Sequence, residues 1–120
     1  MKDNVEIGKN GEEIANSYLL KKGYRILDRN WRFGKNEIDI IARDGPFIVI
    51  VEVKTRLSNY FAEPETAVTR DKQRILVRSA NAYVRYNRIN LEVRFDVIAI
   101  LFSPGGEQIN HIEDAFYATI

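Results

Sequence analysis

The chain has no cysteine and a single histidine, His111. The first absence excludes disulfides and thiolate zinc centres and is compatible with a reducing cytoplasm. The second argues against imidazole-rich metal sites and a Ser-His-Asp triad, so any chemistry here has to run on carboxylates and lysine. No run of eighteen or more apolar residues occurs, which argues against a membrane span. Met1-Lys2-Asp3-Asn4 leads into a polar amphipathic segment rather than an apolar signal core. With neither an activated nucleophile nor a glycine-rich phosphate loop in view, a small-molecule hydrolase is the weakest functional class. A net charge of only +1 gives no bulk attraction to nucleic acid.

What is present fits one soluble domain over residues 1–120, with 45% hydrophobic and 29% charged residues. Ile7, Gly11, Ile14, Ala15, Tyr18 and Leu19 fall at helical spacing, predicting a helix from about Val5 to Lys22 that Gly23 stops. Asp3 and Glu6 could supply its capping box. Tyr24 to Leu27 reads as a short strand, followed by a loop or strand at Arg29–Phe33. Two strands, Glu37–Arg43 and Phe47–Thr55, join through the turn Asp44-Gly45-Pro46, and the second is apolar on both faces, as a central strand should be. An irregular stretch around Pro64 precedes a helix from Arg70 to about Tyr86, with Thr69 as its N-cap. Glu92–Phe102 is a buried strand, and Gln108–Glu113 a short edge strand. The order α-β-β-β-α-β-β predicts an α/β fold, one mixed sheet with helices on both faces.

Two neighbouring strands carry acids against their apolar runs, Glu37-Ile38-Asp39 and Glu52-Val53-Lys54. Side chains two apart on a strand share a side, so Glu52 and Lys54 point together. Close carboxylates repel unless a cation sits between them, and a hard divalent ion prefers oxygen ligands. Asp39, Glu52 and the backbone carbonyl of Val53 are the candidate ligands for Mg²⁺ or Mn²⁺. Such an ion polarises a phosphate and lowers the pKa of bound water, while Lys54 can hold the attacking water or offset charge at phosphorus. The competing reading is a structural Asp–Lys or Glu–Lys pair at the sheet edge.

Glu12 borders the buried stripe of the first helix, where it can reach the strand ends or snorkel at the surface. Gly8 and Gly11 either admit a close neighbour or mark a frayed first turn. In the second helix, Ile75, Leu76, Ala80, Tyr83 and Val84 form the packed stripe and Arg74, Arg78 and Arg85 the opposite face. Lys72 falls with the packed stripe, so it reaches a carboxylate or phosphate, or snorkels past the helix end. Trp31 with Arg29, Arg32 and Phe33 suits base stacking and phosphate contact, or core packing. Asp96 reads as a salt-bridge partner of Arg94 or a helix residue, and His111 as structural.

Gly8-x-x-Gly11-Glu12, Gly23-Tyr24-Arg25-Ile26-Leu27-x-Arg29-Asn30, Glu37-Ile38-Asp39, Val51-Glu52-Val53-Lys54-x-Arg56, Lys72 and Arg94-Phe95-Asp96-Val97 run in one order along nearly the whole chain. This series resembles the small bacterial YraN-like (UPF0102) family, described as endonuclease-like. The family's sheet is similar to that of the PD-(D/E)xK restriction-endonuclease-like fold and of archaeal Holliday junction resolvases. The resemblance implies a three-layer α/β/α core with a central mixed sheet. It places Asp39, Glu52 and Lys54 at the catalytic positions and Glu12 at the resolvases' first-helix acid. Asn36 departs from the glycine usual before Glu-Ile-Asp, and Glu37 matches the family without a role that its own chemistry suggests.

The function expected is a metal-dependent endonuclease hydrolysing phosphodiester bonds in DNA, branched or structured DNA of repair or recombination included. Arg29, Arg32, Arg56 and Lys72 are the expected nucleic-acid contacts, and a C₂ homodimer the simplest assembly. The rival is a nucleic-acid-binding domain of the same fold with little or no turnover.

Overall fold

The structure, a computed structural model, describes residues 4–57 and 68–118, with side chains from residue 8 onward. The expected capping box and the irregular stretch around Pro64 lie outside these residues. The elements follow the order α1 (Asn4–Lys21), β1 (Arg25–Phe33), β2 (Asn36–Asp44), β3 (Phe47–Leu57), α2 (Arg70–Tyr86), β4 (Glu92–Ser103) and β5 (Gly106–Phe116). The five strands form one sheet in sequence order. Only β3 and β4 pair in parallel; the other pairs are antiparallel. α2 makes the crossover that a parallel pair requires.

Each face of the sheet has its own apolar layer. On one, Ala15 and Leu19 of α1 pack on Ile40, Ala42, Val49, Val51, Ile98 and Ile100. On the other, Leu76, Ala80 and Tyr83 of α2 pack on Ile38, Ile41, Ile48, Ile50 and Phe95. The fold is thus α/β, with a mixed sheet between two helices. β3, third of five, is covered on both sides, which is why its sequence does not alternate. Among the described residues no helix is long and apolar enough to cross a membrane.

Local chemistry fixes the helix positions. α1 ends where Tyr24 N–H reaches Leu19 O at 3.0 Å and Gly23 N–H reaches Leu20 O at 3.1 Å, with Gly23 at φ +94°. That paired closure favours glycine, which has no Cβ to oppose the left-handed conformation. A Cβ at Gly11 would overlap the Thr55 methyl, whereas space around Gly8 is open. Gly11 therefore lets α1 lie against β3. The Thr69 hydroxyl caps α2 by accepting from Lys72 N–H at 3.2 Å.

Two strands differ from the sequence reading. Arg25–Phe33 is one strand, not a short strand and a separate segment, because irregularities let it absorb polar residues without ending. The register with β2 shifts between Ile26 and Asp28, and Asn30 has φ +52°. β5 is an eleven-residue edge strand rather than a short one. Its exposed outer positions conceal it, since polar side chains there give no apolar alternation.

β5 also brings His111 to Asp96. His111 Nε2 lies 2.7 Å from Asp96 Oδ2, and Arg94 Nε donates to Asp96 Oδ1 at 2.9 Å. Lys22 Nζ stands 3.2 Å from His111 Nδ1. An ammonium only donates, so Nδ1 accepts and Nε2 carries the hydrogen given to Asp96. This network, buried at Asp96 and Arg94 and exposed at Lys22, ties the segment after α1 to β4 and β5.

Candidate active site

β2 and β3 pair from Asp44↔Phe47 to Ile40↔Val51, and their register runs no further. β3 stays paired with β4 as far as Leu57↔Phe102. Backbone groups of β3 that face β2 are therefore released just after Val51 and need other partners. Asp39 takes one of them, its Oδ2 accepting from Val53 N–H at 2.8 Å. A strand residue directs its N–H and C=O toward the same neighbour, so the Val53 carbonyl faces this opening too.

The alternation of β2 breaks at the same place. Ile38 and Ile40, two residues apart, pack in opposite layers of the fold. Asn30, between the registered pairs Arg29↔Ile40 and Trp31↔Ile38, is the left-handed residue of β1. Two strands are thus irregular side by side, which frees Asp39 from the packed layers.

Asp39 is half-buried, and burial is the largest influence raising its pKa. The charge of Glu52, a hydrogen bond between the two carboxyl groups and the charge of Glu12 push further in the same direction. They outweigh the Val53 N–H bond and bring Asp39 to about 8. A cation between the two carboxyl groups would relieve the same repulsion. The Glu52 side chain is only 15% exposed and lies 3.6 Å from Lys72 Nζ. Lys72 reaches a carboxylate, one of the outcomes its place on α2 suggested. Lys54, two residues beyond Glu52 on a regularly paired strand, projects to the same side.

Glu12 is half-buried on α1, and its Oε1 accepts from Asn30 Nδ2 at 2.8 Å. The same nitrogen donates to Glu37 Oε1 at 2.8 Å. Asn30 was not among the sequence candidates. Its signals were a place in the motif Gly23-Tyr24-Arg25-Ile26-Leu27-x-Arg29-Asn30 and a residue type that tolerates positive φ, neither of which gives it a role.

The structure brings Asp39, Glu52 and Val53 together, with Glu12 and Lys72 at the margin. The arginines sit further out. Arg29 pairs with Glu13 at 2.7 Å, and Arg32, largely exposed, with Glu37 at 3.3 Å. Arg56 shares the side of Glu52 and Lys54 by alternation, and its Nη1 donates to Thr55 O at 2.8 Å. Trp31 packs edge-on against Tyr83, 5.1 Å between centroids, and so belongs to the α2 layer; Phe33, stacked beside it, is exposed.

Among the described residues no group of three or more His, Cys, Asp or Glu side chains is gathered as a cage for metal. Asp39, Glu52 and the Val53 carbonyl are an oxygen-only set of few donors. That suits Mg²⁺ or Mn²⁺, which retain water and use substrate oxygens to complete their shells. The donors fit such an ion.

Residues 11–100 match the family described as "Uncharacterised protein family UPF0102", a span that includes the site from Glu12 to Lys72. The chain belongs to UPF0102. A UPF0102 protein of Thermodesulfovibrio yellowstonii is 50% identical over 113 residues, 94% of this chain and 97% of its own length. One from Phocaeicola vulgatus is 45% identical over 120 residues, covering 100% of this chain and 99% of the relative. Among solved structures, Pyrococcus furiosus SfsA in complex with Ca²⁺ aligns with 16% identity and a TM-score of 0.36. The alignment covers 92% of this chain and 64% of that one, so the chain spans less than two thirds of SfsA.

Proposed function

We infer that this UPF0102 protein is a Mg²⁺- or Mn²⁺-dependent endonuclease that hydrolyses phosphodiester bonds in DNA, in the cytoplasm, with branched or structured DNA as its substrate class. The observation that carries the reading is the half-buried Asp39–Glu52 carboxyl pair at the point where β2 and β3 part, with Lys54 and Lys72 on the side of Glu52. A strand end gains nothing structurally from two half-buried acids that repel. On this reading the fold is of the PD-(D/E)xK restriction-endonuclease-like type, with Asp39, Glu52 and Lys54 in the motif's positions.

Asp39, Glu52 and the Val53 carbonyl would hold the ion. When bound, it supplies Lewis-acid polarisation of the phosphodiester and acidifies water. Lys54 would orient the attacking water or offset charge developing on the phosphorus oxygens. Lys72 Nζ lies 3.6 Å from Glu52 Oε2. From that position it would meet a phosphate bound at the site, with Arg56, Arg29 and Arg32 along the backbone.

The test is an Mn²⁺-soaked crystal followed by a cleavage screen over duplex, single-stranded, flap and four-way DNA. An anomalous peak against Asp39 and Glu52, with Mg²⁺-dependent products that Asp39→Ala fails to make, is the expected result. No peak overturns the metal site. DNA binding without products in Mg²⁺ or Mn²⁺ leaves a nucleic-acid-binding domain of the same fold.

A further inference from the structure

Consecutive residues of a regular strand point to opposite faces of the sheet. Arg29 and Asn30 do not: Arg29 Nη2 meets Glu13 Oε1 at 2.7 Å, and Asn30 Nδ2 meets Glu12 Oε1 at 2.8 Å. Two successive residues of β1 thus clasp two successive residues of α1. The backbone permits this through the positive φ at Asn30, 52°. A residue other than glycine pays strain to sit there, asparagine less than most. Here the strained residue aims a side chain into a site.

What it aims is well matched. An amide nitrogen carries two hydrogens, and Asn30 gives them to two different carboxylates, Glu12 and Glu37. Both partners are acceptors, so the nitrogen rather than the oxygen must face them. Arg32 Nη2, 3.3 Å from Glu37, holds the far acid in turn. The chain Arg32–Glu37–Asn30–Glu12 runs from the exposed hairpin to the helix carboxylate, and Asn30 itself stands across from Asp39, between the pairs Arg29↔Ile40 and Trp31↔Ile38. It also gives Glu37 a task, anchoring the amide.

We propose that Asn30 is a positioning residue of the metal site, with Glu37 as its anchor, and that it acts through Glu12 by fixing that carboxylate at the margin of the Asp39–Glu52 pair. The proposal rests on the metal-site reading above. Asn30 touches neither ion nor substrate in it. Glu12 lies outside the ligand set of Asp39, Glu52 and Val53, and Asn30 keeps it in one arrangement beside them, as outer groups hold the surroundings of other metal sites.

Asn30→Gly is the useful variant, because glycine keeps the left-handed backbone and removes only the amide. Mn²⁺ affinity, read by electron paramagnetic resonance of the free ion, is measured for wild type, Asn30→Gly, Glu12→Ala, the double variant and Asp39→Ala. The expected result is about tenfold weaker Mn²⁺ binding in Asn30→Gly, at the lower end for losing such an orienting group. The melting temperature should match wild type, and the double variant should be no weaker than Glu12→Ala alone. Affinity unchanged in Asn30→Gly, or a loss that adds to that of Glu12→Ala, overturns the positioning role while the metal site stands. Mn²⁺ binding undiminished in Asp39→Ala overturns the metal site itself, and the proposal with it.

Discussion

On the proposed function, removing Lys54 should separate metal binding from chemistry, because its ammonium shares a side of β3 with Glu52 but is not among the oxygen donors. Lys54→Ala should keep Mn²⁺ and DNA affinity and lose cleavage by roughly 10²–10³, the scale for one electrostatic transition-state contact. Lys54→Arg should not restore it, since a planar guanidinium cannot replace a compact ammonium. Equal cleavage by wild type and Lys54→Ala in single-turnover assays would reduce Lys54 to a strand-end charge. Asp39 makes the opposite comparison. Asp39→Asn removes one of two repelling carboxyls, so the metal-free variant should melt at or above the wild-type temperature, while Mg²⁺ should raise only the wild type's. Scanning calorimetry with and without Mg²⁺ checks both halves. The meeting of Asp39 and Glu52 could be read from the sequence because acids ending apolar runs on neighbouring strands violate the pattern of a core. Asn30 could not be: nothing in the one-dimensional pattern shows that β1 twists through a positive φ opposite Asp39.

Helix α2 runs from Arg70 to Tyr86 as its spacing and the Thr69 cap suggest, because both signals are local. β1 and β5 were harder, since bulges and exposed polar positions break the alternation that betrays a strand. The contact between His111 and Asp96 was equally hidden, because pairing β5 against β4 is what brings residues fifteen apart together. That contact has a measurable consequence. Burial alone would raise the Asp96 pKa, but hydrogen bonds from His111, Arg94 and the Asp114 backbone N–H hold it below the ordinary carboxylate value. A carboxylate with a depressed folded pKa adds stability that is fully present above its unfolded value of about 3.9 and is lost as pH falls through the folded one. Asp96→Asn should therefore cost about 3–5 kcal/mol at pH 7, the scale for breaking a buried ion pair by removing one partner. It should also flatten the acid limb of the stability curve. Urea unfolding between pH 2.5 and 7 tests this, and a wild-type-like acid limb in the variant would remove Asp96 from the account.

At the scale of the whole molecule, the proposed nuclease function requires the arginines and the acid pair to share one polyanion. If Arg29, Arg32 and Lys72 each meet a phosphate, log affinity for duplex DNA should fall with log salt by about 0.9 per contact. The triple alanine variant should then lower that slope by about 2.7, and an unchanged slope would move the interface elsewhere on the protein. Assembly follows from counting sites. One chain supplies one Asp39–Glu52 pair, yet cutting two strands of a duplex or junction symmetrically needs two such pairs facing opposite strands. Two copies related by a two-fold axis meet that need with a single interface, because a C₂ contact uses the same patch on both subunits. The sheet leaves β1 and β5 at its two edges, so a second copy has backbone available at either without disturbing the parallel β3–β4 pair that carries Glu52. We therefore expect a weak homodimer that DNA strengthens. Light scattering should give the monomer mass at low micromolar protein and twice the protein mass on a four-way junction, with paired, symmetric cuts on sequencing gels. A monomer in both conditions would exclude symmetric cleavage and leave a single-strand nick as the product.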